Sequence, residues 1–191
     1  MVAGCCLTGV IYQLVAHCIG MDGSLSTITT TQPPSWSVIV AVGALAGLIA
    51  AIVMDWPMSR QPDGFTPAAI AAGIVTRQSV DDVSMAELLV VHHGAGLLAG
   101  VLYGGFVVGF SDGLPAVTTV GGLDIVAHLL AVSLVTGFIY GFFAHIVLPR
   151  ADGRSYEEQS TAIRGQWLRS SLVFGATLVF AVPVLVSAIV G

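Results

Sequence analysis

Four long apolar stretches that contain no charged residue dominate the pattern of the chain. They cover residues 37–54, 88–110, 125–148 and 170–190, and all 11 acidic and 6 basic residues lie outside them. Each is long enough to cross about 30 Å of hydrocarbon as an α-helix that rises about 1.5 Å per residue. The pattern therefore predicts an all-α protein, an integral membrane helical bundle with four strong transmembrane helices.

A weaker apolar stretch over residues 2–21 precedes these four, and it is interrupted by Gln13 and His17. It lacks the basic residues that begin a secretory signal peptide, so a fifth span is the favoured interpretation, with a leader upstream of the true start as the alternative. Ser, Thr and Pro are frequent over residues 22–34. We therefore expect an N-terminal apolar segment with a polar linker over 1–36, followed by the bundle over 37–191.

The arginines predict the orientation of the bundle. The loops over 55–87 and 149–169 contain all six of them, whereas the other connecting segments contain none. Positively charged loops remain on the cytoplasmic side of a membrane. We therefore expect a multi-pass protein of the plasma membrane with these two loops in the cytoplasm and the C-terminus outside.

The chain contains no lysine, and this absence excludes several functions. A Schiff base with retinal or pyridoxal phosphate and a Walker-A phosphate loop each require a lysine amine. The net charge of −5 also argues against nucleic acid as a partner, because phosphate is bound by clustered basic residues. Lysine-free, aspartate-rich loops are compatible with a halophilic source, and equally with a high-GC genome.

Small residues recur every four positions in the second and third strong stretches. In hydrocarbon such stripes allow helix backbones to approach closely. We expect them to pack helices in the bundle, and the lipid bilayer, further copies of the chain or other membrane subunits are the expected partners. The stripes comprise Gly96, Gly100 and Gly104 in one stretch, and Gly137 and Gly141 in the other.

Histidines are the main candidates for chemistry, because imidazole is costly in hydrocarbon unless it faces a partner or water. In the predicted topology His92, His93 and His145 share one depth near the cytoplasmic face, and Asp55 ends the first stretch at a comparable level. His128 lies towards the outer face. The inner group could hold a metal ion, relay protons, or provide axial haem ligands from His93 or His92 together with His145.

One further set of residues lies at the third and fourth stretches and comprises His128, Ser133, Gly137, Tyr140, Pro149 and Arg164-Gly165. In these residues the chain resembles small uncharacterised bacterial and archaeal membrane families, including the YagU-like inner-membrane proteins. The resemblance covers about 45 residues and implies a multi-span helical bundle without an assigned activity or catalytic residue.

No motif in the sequence identifies a reaction, and we predict no catalytic residue. The leading hypothesis is a small, non-enzymatic polytopic membrane protein that handles an ion, a proton or a metal through Asp55, His92, His93 and His145. A redox subunit that binds haem b is one alternative. A purely structural subunit of a membrane complex is the other.

Overall fold

A computed structural model describes residues 34–62, 64–150 and 154–190. The predicted fifth span over 2–21 lies outside these residues. Within them the chain forms five α-helices, two short 3₁₀ turns, one π-helical turn and one small hairpin. The α-helices are α1 (Trp36–Ser59), α2 (Thr66–Thr76), α3 (Met85–Gly113), α4 (Ile125–Phe142) and α5 (Arg154–Val190).

Four of these helical segments are long and apolar enough to cross a membrane: Trp36–Ser59, Met85–Gly113, Ile125–Val147 and Thr161–Ile189. This confirms the predicted all-α bundle of four long apolar helices. Two of the helices extend past the apolar stretches. Helix α1 continues through Pro57 to Ser59, and α5 begins at Arg154. Polar residues add helical turns at these ends without interrupting the helix.

Helix α2 lies within the connection between the first two long helices. Pro67 occupies its first turn, where the missing N–H leaves no helical hydrogen bond unmade. Ala68, Ile70 and Ala72 are buried, and the helix packs mainly against α3. Residues Thr66–Thr76 therefore pack onto the bundle.

Side chains define where α3 and α4 begin. Ser84 and Glu87 form a reciprocal capping box, in which each side chain accepts a hydrogen bond from the other residue's backbone N–H. At α4, the carboxylate of Asp124 accepts hydrogen bonds from the N–H groups of Val126 and Ala127. The Ala127 bond holds the pKa of Asp124 below its usual value and outweighs partial burial.

Helices α1 and α3 make the closest contact in the bundle. A Cβ added at Gly43 would lie 2.5 Å from the carbonyl oxygen of Gly100. One added at Gly47 would overlap the carbonyl oxygen of Gly96, and one at Gly104 would lie 2.8 Å from the Cα of Val40. Glycine is required along this contact because the two backbones touch. We call it the glycine seam, and it comprises Gly43, Gly47, Gly96, Gly100 and Gly104.

The glycine stripe of α4, Gly137 and Gly141, does not pack against another described helix, contrary to the prediction. Gly137 is exposed, and a Cβ added at Gly137 or Gly141 would meet nothing within 4 Å. Helix α4 instead approaches α5 through Thr136, whose Oγ1 would lie 2.5 Å from a Cβ at Gly175. The same small-residue spacing thus makes a backbone contact in α3 and faces outward in α4.

Helix α4 changes its winding after Phe142. Residues Phe143–Val147 form a π-helical turn and Leu148–Arg150 a 3₁₀ turn. The N–H of Leu148 donates to the carbonyl of Phe143, five residues back. Pro149 explains this change of winding. Proline has no N–H to donate, and in a regular α-helix its ring would clash with the carbonyl group four residues earlier.

We expect Gly100→Ala to lower the free energy of unfolding by about 1–3 kcal/mol, because the added methyl group would overlap the backbone of Gly43. Gly94→Ala is the matched control, since a Cβ there meets nothing within 4 Å. Denaturant titration of the detergent-solubilised variants measures both. Equal stability of the two variants would show that the seam tolerates a side chain.

Candidate metal site

The closest group of potential metal ligands lies where α1 ends beside the third turn of α3. Asp55 is on α1, while His92 and His93 are consecutive residues of α3. Within the described part of the chain these form the one group of three whose ligand atoms all lie within 4.8 Å of one another. We call these three residues the Asp55 cluster.

Both imidazoles point their Nε2 atoms at the same carboxylate. His93 Nε2 lies 2.8 Å from Asp55 Oδ2, and His92 Nε2 lies 3.4 Å from Oδ1. Arg60, the nearest arginine in sequence, instead lies over the ring of Trp56, 5.1 Å from its centroid. Across the residues that the structure covers, the two histidines are the only basic groups within ion-pair distance of Asp55.

One carboxylate oxygen of the cluster is left without a hydrogen bond. Asp55 Oδ1 is buried and accepts none from any described protein group, although His92 Nε2 is 3.4 Å away. That ring N–H instead donates to the carbonyl oxygen of Ala51 at 3.3 Å. Buried carboxylate oxygens normally accept a hydrogen bond. Oδ1 does not, and it can therefore still accept one or bind a cation.

The Asp55 cluster is partly accessible. The side chains of Asp55 and His93 are 28% and 27% exposed, whereas that of His92 is 6% exposed. An ion could therefore reach the carboxylate and His93 from the surface, while His92 holds the inner side of the site.

The structure brings together three of the four residues that the sequence grouped by depth. Asp55, His92 and His93 converge, but His145 lies in the π-helical turn with an exposed side chain. It is not in the Asp55 cluster. The glycine seam runs directly into the cluster, since Gly96 and His92 are one turn apart on α3.

A second group of hydrogen-bonded residues, separate from the Asp55 cluster, connects the three helices α3, α4 and α5. The sequence did not predict this group. The hydroxyl of Tyr103 on α3 donates to Nδ1 of His128 on α4 at 2.6 Å. Nε2 of His128 donates to the carbonyl oxygen of Val179 on α5 at 3.3 Å. Both side chains are buried, with Tyr103 fully inaccessible.

The partner of His128 on α5 has a local cause. Pro183 lies inside α5 and has no N–H, so the carbonyl four residues earlier, that of Val179, lacks its helical donor. His128 provides a replacement. Both features were visible in the sequence, as a histidine within an apolar stretch and a proline within another. Only the packing shows that this histidine bonds the carbonyl that the proline leaves without a donor.

Searches of protein-family models, curated proteins and solved structures found no match for this chain.

We expect Pro183→Ala to reduce the cost of His128→Leu, because the restored N–H at position 183 gives Val179 its own donor. The coupling free energy in this double-mutant cycle should be about 1 kcal/mol, the net worth of one hydrogen bond. Thermal or denaturant unfolding of the four proteins measures it. Additive effects would mean that His128 does not replace the missing helical donor.

Proposed function

We propose that this chain is an integral membrane protein that binds a divalent transition-metal ion through Asp55, His92 and His93. The observation that carries the proposal is the buried Asp55 Oδ1, which accepts no hydrogen bond while two imidazole nitrogens lie beside the same carboxylate. Two imidazoles and one carboxylate are a common ligand set for zinc and for ferrous iron.

The outer surface of the bundle supports the membrane assignment. Large apolar side chains are exposed along the middle of the four long helices, including Leu98 on α3 and Phe180 on α5, which are 67% and 73% exposed. In water such a surface would be an aggregation hazard, whereas hydrocarbon solvates it.

The arginines support the predicted orientation. Arg60 and Arg77 flank α2, while Arg164 and Arg169 lie near the start of the apolar part of α5. With these segments in the cytoplasm, the Asp55 cluster lies near the inner face of the membrane and the C-terminus lies outside. The proposed metal would then exchange with the cytoplasm.

The ligand chemistry favours a transition metal over calcium or magnesium. Those two ions prefer shells made of oxygen atoms, whereas the Asp55 cluster offers two nitrogens and a carboxylate. A metal bound at Nε2 requires a neutral imidazole whose proton is on Nδ1. An imidazolium must therefore lose one proton before it can bind, so binding weakens in acid. Three protein ligands leave at least one coordination position for water or another ligand.

The same contacts favour one second candidate, a proton relay. His93 Nε2 lies 2.8 Å from Asp55 Oδ2, and such a contact is a direct path for a proton between an imidazole and a carboxylate. A metal requires all three residues, whereas a relay through this bond does not require His92. A haem held by His93 and His145 is less favoured, because the exposed His145 is outside the cluster.

We expect the purified protein to bind one Zn²⁺ per chain, measured by calorimetry and elemental analysis. His92→Ala, His93→Ala and Asp55→Ala should each weaken binding by more than the roughly 10–100-fold that is lost when a group behind a ligand is removed. His145→Ala is the matched control and should bind as the parent protein does.

The variants separate the candidates. Absence of zinc and ferrous iron binding by the folded parent protein would overturn the metal site. A Soret band in the visible spectrum, lost in both His93→Ala and His145→Ala, would establish the haem alternative instead.

We expect alkaline phosphatase fused after Gly191 to be active, because the enzyme folds only outside the cytoplasm of a bacterial host. A fusion after Gln78 should be inactive, and green fluorescent protein should give the opposite result at both positions. Active phosphatase at Gln78 together with inactive phosphatase at Gly191 would reverse the proposed orientation.

A further inference from the structure

An apolar cavity of about 370 Å³ lies between the long helices, next to the Asp55 cluster. Its inner wall is formed by buried residues, including Ala51 on α1, Phe143 after α4 and Phe174 on α5. One side of the ring of His92 completes this wall. The volume is at the lower end of the range found for pockets that hold small organic ligands.

The cavity offers almost no polar group to an occupant. Apart from His92, its polar lining residue is Trp167, whose indole N–H already donates to the carbonyl oxygen of Ile139 at 3.1 Å. The Nε2 atom of His92 is directed at Asp55 and Ala51. A cavity with such walls does not stabilise water, but it binds hydrocarbon well.

The cavity opens sideways, between α3 and α4. Its lining includes Leu98 and Phe138, whose side chains are 67% and 52% exposed on the outer surface, together with the exposed Phe142. The opening therefore faces the apolar surface that the proposed membrane assignment places in hydrocarbon. Neither mouth nor wall carries a charged side chain that would select a polar headgroup.

We propose that this cavity receives one acyl chain of a membrane phospholipid, which enters between α3 and α4 and ends against the ring of His92. The chain is the occupant that matches an apolar wall, a lateral opening and the absence of free polar groups. His92 would then have hydrocarbon on one side and Asp55 on the other. The inference rests on the membrane part of the proposed function and does not require a metal.

Tryptophan fluorescence tests the proposal, because Trp167 lines the cavity while the other two tryptophans, Trp36 and Trp56, are exposed at the ends of α1. A protein with Trp36→Phe and Trp56→Phe retains Trp167 as its one emitter. It is reconstituted in nanodiscs of phosphatidylcholine with either ordinary or mid-chain brominated acyl chains, which quench indole on contact.

We expect brominated lipid to quench Trp167, and Ala99→Phe to weaken this quenching roughly twofold or more, because the added ring fills part of the cavity. Ala176→Phe is the matched control, since it adds the same ring to an exposed position of α5 outside the cavity. Ala95→Phe, at another lining position, should act as Ala99→Phe does and replaces it if that variant does not fold.

Two outcomes would contradict the inference, and only one of them would also contradict the membrane assignment. Equal quenching in the parent, lining and control proteins, all retained in nanodiscs, would overturn the acyl-chain site alone. Extraction of the parent protein from vesicles by alkaline carbonate would overturn the membrane assignment and the acyl-chain site together.

Discussion

The backbone contact between α1 and α3 is the constraint on which the rest of the molecule depends. Gly43 meets Gly100 and Gly47 meets Gly96, so each step of four residues along α1 is matched by four residues back along α3. The next step brings Ala51 to His92, whose ring bonds the Ala51 carbonyl. One turn further along α1 lies Asp55. The candidate site is therefore the continuation of the glycine seam, and its geometry is set by how closely the helices approach.

This dependence explains which parts of the structure the sequence could predict. Charge exclusion and length predicted four long helices, and the predicted topology placed the three residues of the Asp55 cluster at a similar depth. The spacing of small residues could not show which stripe finds a partner. Gly96 and Gly100 face matching glycines on α1, whereas Gly137 does not, because α4 approaches α5 through the neighbouring Thr136. A neighbouring position on a helix is rotated by about 100°, which is enough to turn a stripe outward.

The position of His145 shows a second limit of sequence reasoning. Its predicted depth assumed an uninterrupted α-helix to residue 148. Pro149 disrupts that winding, and the π-helical turn over Phe143–Val147 leaves Phe143 buried against Trp167, with ring centroids 4.2 Å apart, and His145 exposed. The proline was visible in the sequence. Whether it kinks, ends or locally rewinds a helix depends on packing that a single sequence does not contain.

The two buried histidines differ in what their ring nitrogens contact, and this difference makes His92, and not His128, the candidate ligand. His128 accepts from Tyr103 and donates to Val179, so both of its nitrogens are used in holding α3, α4 and α5 together. His92 donates its Nε2–H to the carbonyl oxygen of Ala51, and Asp55 Oδ1, 3.4 Å from the same nitrogen, accepts no hydrogen bond. A buried carboxylate oxygen without a partner carries a desolvation cost, which a bound cation would offset. The proposed metal site therefore rests on this carboxylate oxygen and on the two imidazoles beside it.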